Sequence, residues 1–445
     1  LFFGICYLFV IWDLYFGVFK QVLKYIPYCN LDLYLIRFLY MPKKSARITR
    51  PAVRTVPTIV KSTMPNPRKS RMRLLMLLVL GSVLIFLFIW YKANLQQIIK
   101  IGLNVELSGA IPAVGLSSQR AARLAVEEVN EEGGLVRPDK QYKIQLIEED
   151  NAANVEKTKE ATKRIVEDNA IAMIGPNASK YAIAAASVAE PADMLMISPW
   201  STNVVTTQNK KYIFRAAFID PFQGKALATF AVDTLHAKRA AVLYDEAADV
   251  IVRQKDIFVD TFTSLGGTVV VVKAFKAGDT TMVKQLEEIE SSKPDVIFLP
   301  AYYNDAANAI IEAKGMKIET PFLGSDGWGS QEILSSCREK CNGSYLSAHY
   351  AADSTAPATR RFVEKYKKAY GEIPDDVAAL TYDAFGLLFK SIQNAKIVDR
   401  EAVKNAMTRI TGYEGVTGNM EFIPNSGNPK KGVIILQIKD GKFTY

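Results

Sequence analysis

From Ile99 onward, short apolar runs alternate with amphipathic helical stretches, and this alternation constrains the fold more than any other feature of the chain. The run IKIGLNV is followed by QRAARLAVEEVNEEGG, in which Ala122, Leu124, Ala125 and Val129 keep one helix face apolar. The same order recurs through IAMIG, MLMIS, RAAVLY, TVVVVKAF, DVIFLP and PFLGS. Short apolar strands alternating with amphipathic helices specify parallel sheets that are covered on both faces. The sequence therefore predicts a doubly wound α/β architecture.

These units are too many for one sheet to hold easily, and the alternation breaks between Ser198 and Arg239. A polar loop, a strand near YIFRAAF and a helix from about Pro221 to Leu235 precede a new series of units. The late helices RRFVEKYKKAYG and DDVAALTYDAFGLLFKSIQNA are expected to return and cover the first series, so we expect two Rossmann-like lobes joined by a multi-strand hinge. The expected boundaries are residues 99–220 plus 349–430 for lobe I and residues 221–348 plus 431–445 for lobe II.

The chain before Ile99 has a different composition from the rest. Residues 1–98 hold 14 Lys and Arg against two acidic residues, whereas residues 99–445 hold 41 basic and 44 acidic residues. The basic excess therefore lies in the leader, and no nucleic-acid partner is expected for the folded part. Residues 1–73 form a basic and apolar leader that is a candidate gene-start artefact.

Residues 74–92 contain LLMLLVLGSVLIFLFIW, a run without a charge. Its length fits either a signal h-region or a short membrane anchor. The absence of a small-x-small cleavage site favours the anchor over a cleaved signal. The basic residues on the N-terminal side of the run are typical of a flank that stays in the cytoplasm, so the chain after the run is expected outside. We therefore expect the protein in the periplasm or on the outer face of the inner membrane, with membrane contact through residues 74–92.

The folded part contains two cysteines, Cys337 and Cys341, in SSCREKCNG. The chain has only two histidines, His236 and His349, so the cysteines lack the further ligands that a metal site needs. A local disulfide is the preferred interpretation, and two free thiols on one helical turn are the alternative. No metal and no cofactor are expected.

Two neighbouring apolar runs end in similar polar tips, GPNAS with Ser179 and PWST with Ser201 and Thr202. In open α/β sheets, ligands bind beyond the carboxyl ends of strands, where helix N-termini present unpaired N–H groups. We expect these tips to converge on one carboxylate, although N-capping alone explains any single hydroxyl. In the second half, strands end near Tyr302 and Asp326, where a carboxylate would suit an ammonium group. An Asx-turn for Asp326 and packing for Tyr302 are the alternatives.

The span from Ile99 to Tyr445 resembles the leucine/isoleucine/valine-binding family of periplasmic substrate-binding proteins, which have a type I periplasmic binding fold and serve ABC importers. The motifs that carry this resemblance are IGLNVELSGAIPAVG, GGL, IGPNAS, LMISPWSTN, IFRAAFIDPFQG, LGSDGWG and ALTYDAFG, in this order. The resemblance implies that Ser179 and Thr202 hold the α-carboxylate of an amino acid. It also implies that the Trp200 carbonyl and Asp326 hold the α-ammonium, and that Tyr302 lines the cleft.

Three positions depart from the family pattern in the predicted side-chain pocket. Val114 stands where the family often has an aromatic residue, and Asp249-Val250 stands in place of a Tyr-Gly pair. Trp200 occupies a position that is commonly Gly or Ala. These departures leave the identity of the ligand open: Asp249 either receives a cationic or hydroxylated side chain or is a surface charge.

The resemblance implies a binding protein that captures an amino acid by hinge closure and delivers it to ABC permease and ATPase subunits. No enzymatic activity is expected, because the chain offers two isolated histidines, no G-x-S-x-G and no P-loop. The protein is expected to be a monomer. The alternative function is a sensor or receptor domain for an amino acid or small amide, signalling through a membrane partner.

Overall fold

The protein is described by a computed structural model that covers residues 76–87, 97–138 and 140–445. The described residues from Gln97 onward belong to one compact unit that contains two large sheets and one small two-stranded sheet. The predicted α/β architecture with alternating strands and helices is confirmed over this unit.

The first sheet has six strands in the order β2-β3-β1-β4-β5-β6, and all neighbours are parallel except β2 and β3. Its strands are β1 (Gln97–Val105), β2 (Leu135–Val136), β3 (Gln141–Asp150), β4 (Ala172–Ile174), β5 (Leu195–Ser198) and β6 (Ile213–Arg215). The helices between them are α1 (Pro112–Glu131), α2 (Val155–Glu167) and α3 (Ser179–Ala189).

The second sheet has seven strands in the order β15-β14-β11-β10-β9-β7-β8, with the antiparallel strands β14 and β15 at one edge. Its strands are β7 (Arg239–Asp245), β8 (Thr268–Phe275), β9 (Val296–Leu299), β10 (Phe322–Gly324), β11 (Tyr345–Ala348), β14 (Ile434–Lys439) and β15 (Lys442–Thr444). The helices of this half are α4 (Asp220–Asp233), α5 (Asp249–Ser264), α6 (Val283–Ser291), α7 (Tyr303–Gly315) and α8 (Gln331–Cys337).

The chain passes between the two sheets three times. It leaves the first sheet after β6, returns after β11, and leaves again before β14. The segment between the last two crossings contains α9 (Pro357–Tyr370), α10 (Asp376–Asn394), α11 (Arg400–Met407) and a small hairpin of β12 (Tyr413–Gly415) and β13 (Gly418–Met420). Helix α10 packs on α1, and α11 packs against β5, so these late helices cover the first sheet. Three crossings therefore join the first sheet with its helices, here called lobe I, to the second sheet with its helices, here called lobe II.

The central strands are buried on both faces. Every residue of β4, β5, β9 and β10 is buried, which explains why their sequences read as continuous apolar runs rather than alternating ones. Because these strands are parallel, their carboxyl ends lie at one edge of each sheet. The loops that leave this edge carry the predicted site residues.

The predicted membrane or signal segment, residues 74–92, is described only over residues 76–87, which are helical. Within the described part of the chain, none of the helices has both the length and the apolar character needed to cross a bilayer. The leader, residues 1–73, and residues 74, 75 and 88–92 lie outside the described residues.

Candidate functional site

The tip that follows β4 is held by a buried glutamate. Glu106 accepts hydrogen bonds from the backbone N–H groups of Asn177 and Ala178, both at 3.1 Å, and from Asn177 Nδ2 at 2.9 Å. Burial raises the pKa of Glu106, while these hydrogen bonds lower it. The turn needs a glycine at its start, because Gly175 has φ +91° and a Cβ there would lie 2.1 Å from the Asn104 carbonyl oxygen. Glu106 thus fixes the tip from which α3 begins at Ser179.

The hydrogen bonds around Ser179 determine what its hydroxyl hydrogen can do. Its Oγ accepts a hydrogen bond from Ser201 Oγ at 3.0 Å and from the Asn203 backbone N–H at 3.3 Å. Ser201 Oγ is also 2.7 Å from Thr206 Oγ1, which must donate to it because the Ser201 hydrogen is already used. With two bonds accepted, Ser179 is left with its own O–H to donate. This chain of hydrogen bonds from Thr206 through Ser201 to Ser179, here called the relay, therefore makes Ser179 a hydrogen-bond donor toward any group in the cleft.

The tip that follows β5 adds backbone groups. The carbonyl of Trp200 and the N–H groups of Thr202 and Ser179 have no hydrogen-bond partner among the described residues. The Thr202 carbonyl accepts a hydrogen bond from the Asp220 backbone N–H at 3.0 Å, and burial raises the pKa of the Asp220 carboxyl. Within the described chain, Thr202 therefore has its backbone N–H free to donate to an anion.

Arg215 holds this second tip in place from within the lobe. Its Nη1 donates to the Ser201 carbonyl at 2.6 Å, and its Nη2 donates to the Asn203 carbonyl at 2.7 Å and to Thr207 Oγ1 at 3.0 Å. The guanidinium is fully buried, and burial lowers its pKa to about 10. It fixes the loop whose outer groups face the cleft.

Asp326 lies opposite these tips, in a short helix Asp326–Trp328 after β10. Its backbone N–H donates to Gln223 Oε1 at 3.3 Å, and Gln223 Nε2 donates to Asp220 Oδ1 at 3.1 Å. Burial raises the pKa of Asp326 well above its usual range, and the negative charges of Asp220 and Asp376 raise it further. Among the described residues, no Lys or Arg forms an ion pair with Asp326. A buried carboxylate without a cation is suited to receive one.

Two adjoining cavities lie between the lobes at this edge. The inner chamber is narrow, at about 20 Å³, and the outer cavity measures about 400 Å³. The inner chamber is lined by Asn177, Ala178, Ser179, Trp200, Thr202, Val250, Ile251, Gln254, Tyr302, Ser325, Asp326 and Gly327. The two cavities share Ala178, Ser179, Val250 and Tyr302 as a common wall.

The structure brings five of the predicted site residues together around the inner chamber: Ser179, Trp200, Thr202, Tyr302 and Asp326. The rings of Trp200 and Tyr302 are 6.2 Å apart between centroids. Burial and the nearby acidic groups, with Asp326 first among them, raise the pKa of Tyr302, so its hydroxyl stays protonated.

The other predicted residues lie elsewhere. Asp249 is exposed at the start of α5 and lines the outer cavity. Ser201 is buried behind the tip, where it orients Ser179. Val114 is not on either cavity wall: α1 begins at Pro112, so Val114 is already in the first helical turn and is fully buried in the core. Ala110 and Ile111, just before this helix, line the outer cavity.

Cys337 and Cys341 are joined by a disulfide at the end of α8. Over the described residues, no group of three or more His, Cys, Asp or Glu side chains is arranged to hold a metal ion.

Four residues that organise the site were missed by sequence reasoning: Glu106, Arg215, Gln223 and Gln254. Gln254 had a detectable signal, since it lies four residues after Val250 and four before Phe258, on the buried face of α5. A polar side chain in an apolar stripe indicates a buried polar contact. Glu106 had no such signal in the sequence, because its partner Asn177 lies 71 residues away in the chain.

The sequence profile of a family described as periplasmic binding protein matches residues 98–442. The leucine-, isoleucine-, valine-, threonine-, and alanine-binding protein of Pseudomonas aeruginosa is 24% identical over 329 residues, covering 73% of this chain and 85% of that protein. The leucine-specific-binding protein of Salmonella typhimurium is 24% identical over 328 residues, covering 73% of this chain and 86% of the other.

Solved structures share the fold. LivJ of Streptococcus pneumoniae, the branched-chain amino acid transporter substrate-binding protein crystallised with isoleucine, matches with a TM-score of 0.74 and 30% identity. The alignment covers 78% of this chain and 98% of LivJ. The leucine-binding protein LivK of Thermotoga maritima matches with a TM-score of 0.72 and 31% identity, covering 78% of this chain and 97% of LivK.

Proposed function

The chain belongs to the periplasmic binding protein family, and from this premise we propose that it is the extracytoplasmic substrate-binding protein of an ABC importer for an amino acid. The relatives that match over most of this chain are named as binding proteins for leucine and other amino acids, and one of the matching structures contains isoleucine. Binding without chemical change is the activity that the site supports.

The observation that carries this proposal is the pairing of opposite polar ends across one cleft. Lobe I presents the directed hydroxyl of Ser179 and the unpaired N–H groups of Ser179 and Thr202. Lobe II presents the buried carboxylate of Asp326, which has no cationic partner among the described residues. An α-carboxylate suits the first set and an α-ammonium suits the second. The unpaired Trp200 carbonyl offers one further acceptor for the ammonium.

Closure of the hinge completes the site. Ser179 and Trp200 belong to the lobe of the first sheet, whereas Asp326 and Tyr302 belong to the other. A ligand bound to the first lobe would gain the second set of contacts only when the lobes close, so ligand binding favours the closed form. Four or five charge-assisted hydrogen bonds of about 1.5 to 3 kcal/mol each, less the ordering and desolvation costs, are consistent with about micromolar affinity.

On this proposal the protein acts outside the inner membrane, with permease and ATPase subunits as its partners. Residues 74–92 would serve as the export signal or as an anchor, and the protein would act as a monomer.

Titration calorimetry of the purified protein with alanine, ethylamine and propionate tests the binding proposal. Alanine has both α-groups, whereas each analogue lacks one of them. We expect binding of alanine and no measurable binding of the other two; equal binding of either analogue would refute a site that requires both charges.

A further inference from the structure

Two amide side chains line the inner chamber with oxygen atoms that have no hydrogen-bond partner. Asn177 Oδ1 and Gln254 Oε1 are both buried, and neither has a partner among the described residues. Asn177 belongs to the tip of lobe I, and Gln254 belongs to α5 of lobe II. The chamber therefore has one unpaired acceptor on each of its two sides.

The orientation of both amides is fixed by carboxylates behind them. Asn177 Nδ2 donates to Glu106 Oε2 at 2.9 Å, and Gln254 Nε2 donates to Asp220 Oδ1 at 3.0 Å. An ionised carboxylate only accepts hydrogen bonds, so turning either amide over would place an oxygen against an oxygen. Both carbonyl oxygens are thereby fixed as buried acceptors on side chains that line the chamber.

The α-groups of an amino acid do not satisfy these two acceptors. An ammonium group has three N–H donors, and the two carboxylate oxygens of Asp326 with the Trp200 carbonyl already offer three acceptors for them. The α-carboxylate has no donor at all. The same lining also holds two donors, Trp200 Nε1 and Ser325 Oγ, that are unpaired within the described chain. A ligand side chain that carries both a donor and an acceptor, as a hydroxyl or an amide does, can pair with both kinds of group.

The walls of the chamber also limit the size of that side chain. The indole of Trp200 lines the side of lobe I, and Val250 and Ile251 close the side toward lobe II. The two amide oxygens are already buried and have no partner among the described residues, so a ligand side chain without donors would leave them without a partner, whereas one with a donor would pair with them. Burying an acceptor in this way is strongly disfavoured.

We propose that the cleft selects α-amino acids whose short side chain carries a hydrogen-bond donor, such as a hydroxyl or an amide N–H, over hydrocarbon side chains of the same shape. Asn177 and Gln254 are the residues that make this selection. The inference rests on the proposed function, since it names the class of amino acid that the same cleft would take.

Threonine and valine provide a matched pair of probes, because their side chains have the same shape and differ by a hydroxyl in place of a methyl. In titration calorimetry with the intact protein, we expect threonine to bind at least about tenfold more tightly than valine. Asparagine and leucine form a second pair of similar shape, and we expect asparagine to bind more tightly than leucine. Valine binding as tightly as threonine, or more tightly, would overturn the inference.

The variant Gln254→Met removes the acceptor while keeping the length of the side chain. We expect the threonine-to-valine preference to fall about tenfold in this variant, through weaker threonine binding. Arg253→Met is the matched control, because Arg253 is exposed on the same helix, and it should keep the wild-type preference. A preference that survives Gln254→Met unchanged would remove Gln254 from the selection.

The outcomes separate this inference from the proposed function. Binding of several amino acids without a preference for side-chain donors overturns only the inference. Binding of no amino acid by the wild-type protein overturns both. The wild-type comparison of threonine with valine needs no variant, so it decides the inference even if Gln254→Met fails to fold.

Discussion

Replacing Asp326 by Asn removes the buried charge by which the inner chamber would distinguish an ammonium from a neutral group. The substitution keeps the shape of the side chain and removes its charge. Asp326 is only 5% exposed, and Asp220 and Asp376 are the charged groups that act on it most strongly. Its carboxylate therefore has little water to screen it, and a bound ammonium would be its cationic partner.

The expected loss of affinity in Asp326→Asn follows from the kind of hydrogen bond that is lost. A hydrogen bond to a buried charged group contributes about 1.5 to 3 kcal/mol, which corresponds to a loss of about 10- to 150-fold in affinity for the amino acid. Titration calorimetry at pH 7 measures this directly. Asp260→Asn is the control, since Asp260 is an exposed acid on α5 of the same lobe and should leave the affinity unchanged.

The same substitution should stabilise the protein when no ligand is present. The folded-state pKa of Asp326 is raised, so its contribution to stability is present at low pH and is lost as the pH rises through that raised pKa. At neutral pH the charged form is the disfavoured one, and Asp326→Asn removes it. We therefore expect a higher melting temperature together with weaker binding. Unchanged affinity, or weaker binding with a lower melting temperature, would refute the reasoning.

The remaining predictions concern the support of the site. Ser201→Ala should weaken amino-acid binding about three- to tenfold, although Ser201 does not line the inner chamber. The reason is that Ser179 loses the hydrogen bond from Ser201 that leaves its own hydrogen free to donate to a ligand. Wild-type affinity of this variant in calorimetry would contradict the relay. Gly324→Ala should lower the free energy of unfolding by about 1 to 3 kcal/mol, because the new Cβ would lie 2.1 Å from the Trp328 ring. Urea unfolding measures this, with Gly315→Ala as control because nothing lies within 4 Å of that position; an equal effect of the two substitutions would contradict the packing argument.

Much of the fold and part of the site could be predicted because they depend on local patterns. The continuous apolar runs of β4, β5 and β10 required parallel strands, and parallel strands place their carboxyl ends at one edge. Ser179, Thr202 and Asp326 follow such ends directly, so they had to lie near the cleft. Their position is a consequence of topology and not of any contact that they make.

The details that depend on long-range packing could not be read from one sequence. The Thr202 carbonyl is paired with the N–H of Asp220, which lies 18 positions further along the chain, and only the folded arrangement shows that the Thr202 N–H is left for a ligand. Val114 was placed in the pocket by its position before a glycine. Pro112 starts the helix earlier, which turns Val114 into the core.

The central claim is that lobe I binds the carboxylate of a zwitterion and lobe II binds its ammonium. A crystal structure of the protein with a bound amino acid tests this most directly. We predict a carboxylate oxygen within hydrogen-bond distance of Ser179 Oγ, and the ammonium nitrogen within the same distance of the Asp326 carboxylate. An amino acid bound in the reverse orientation, or bound in the cleft without contact to either residue, would contradict the account.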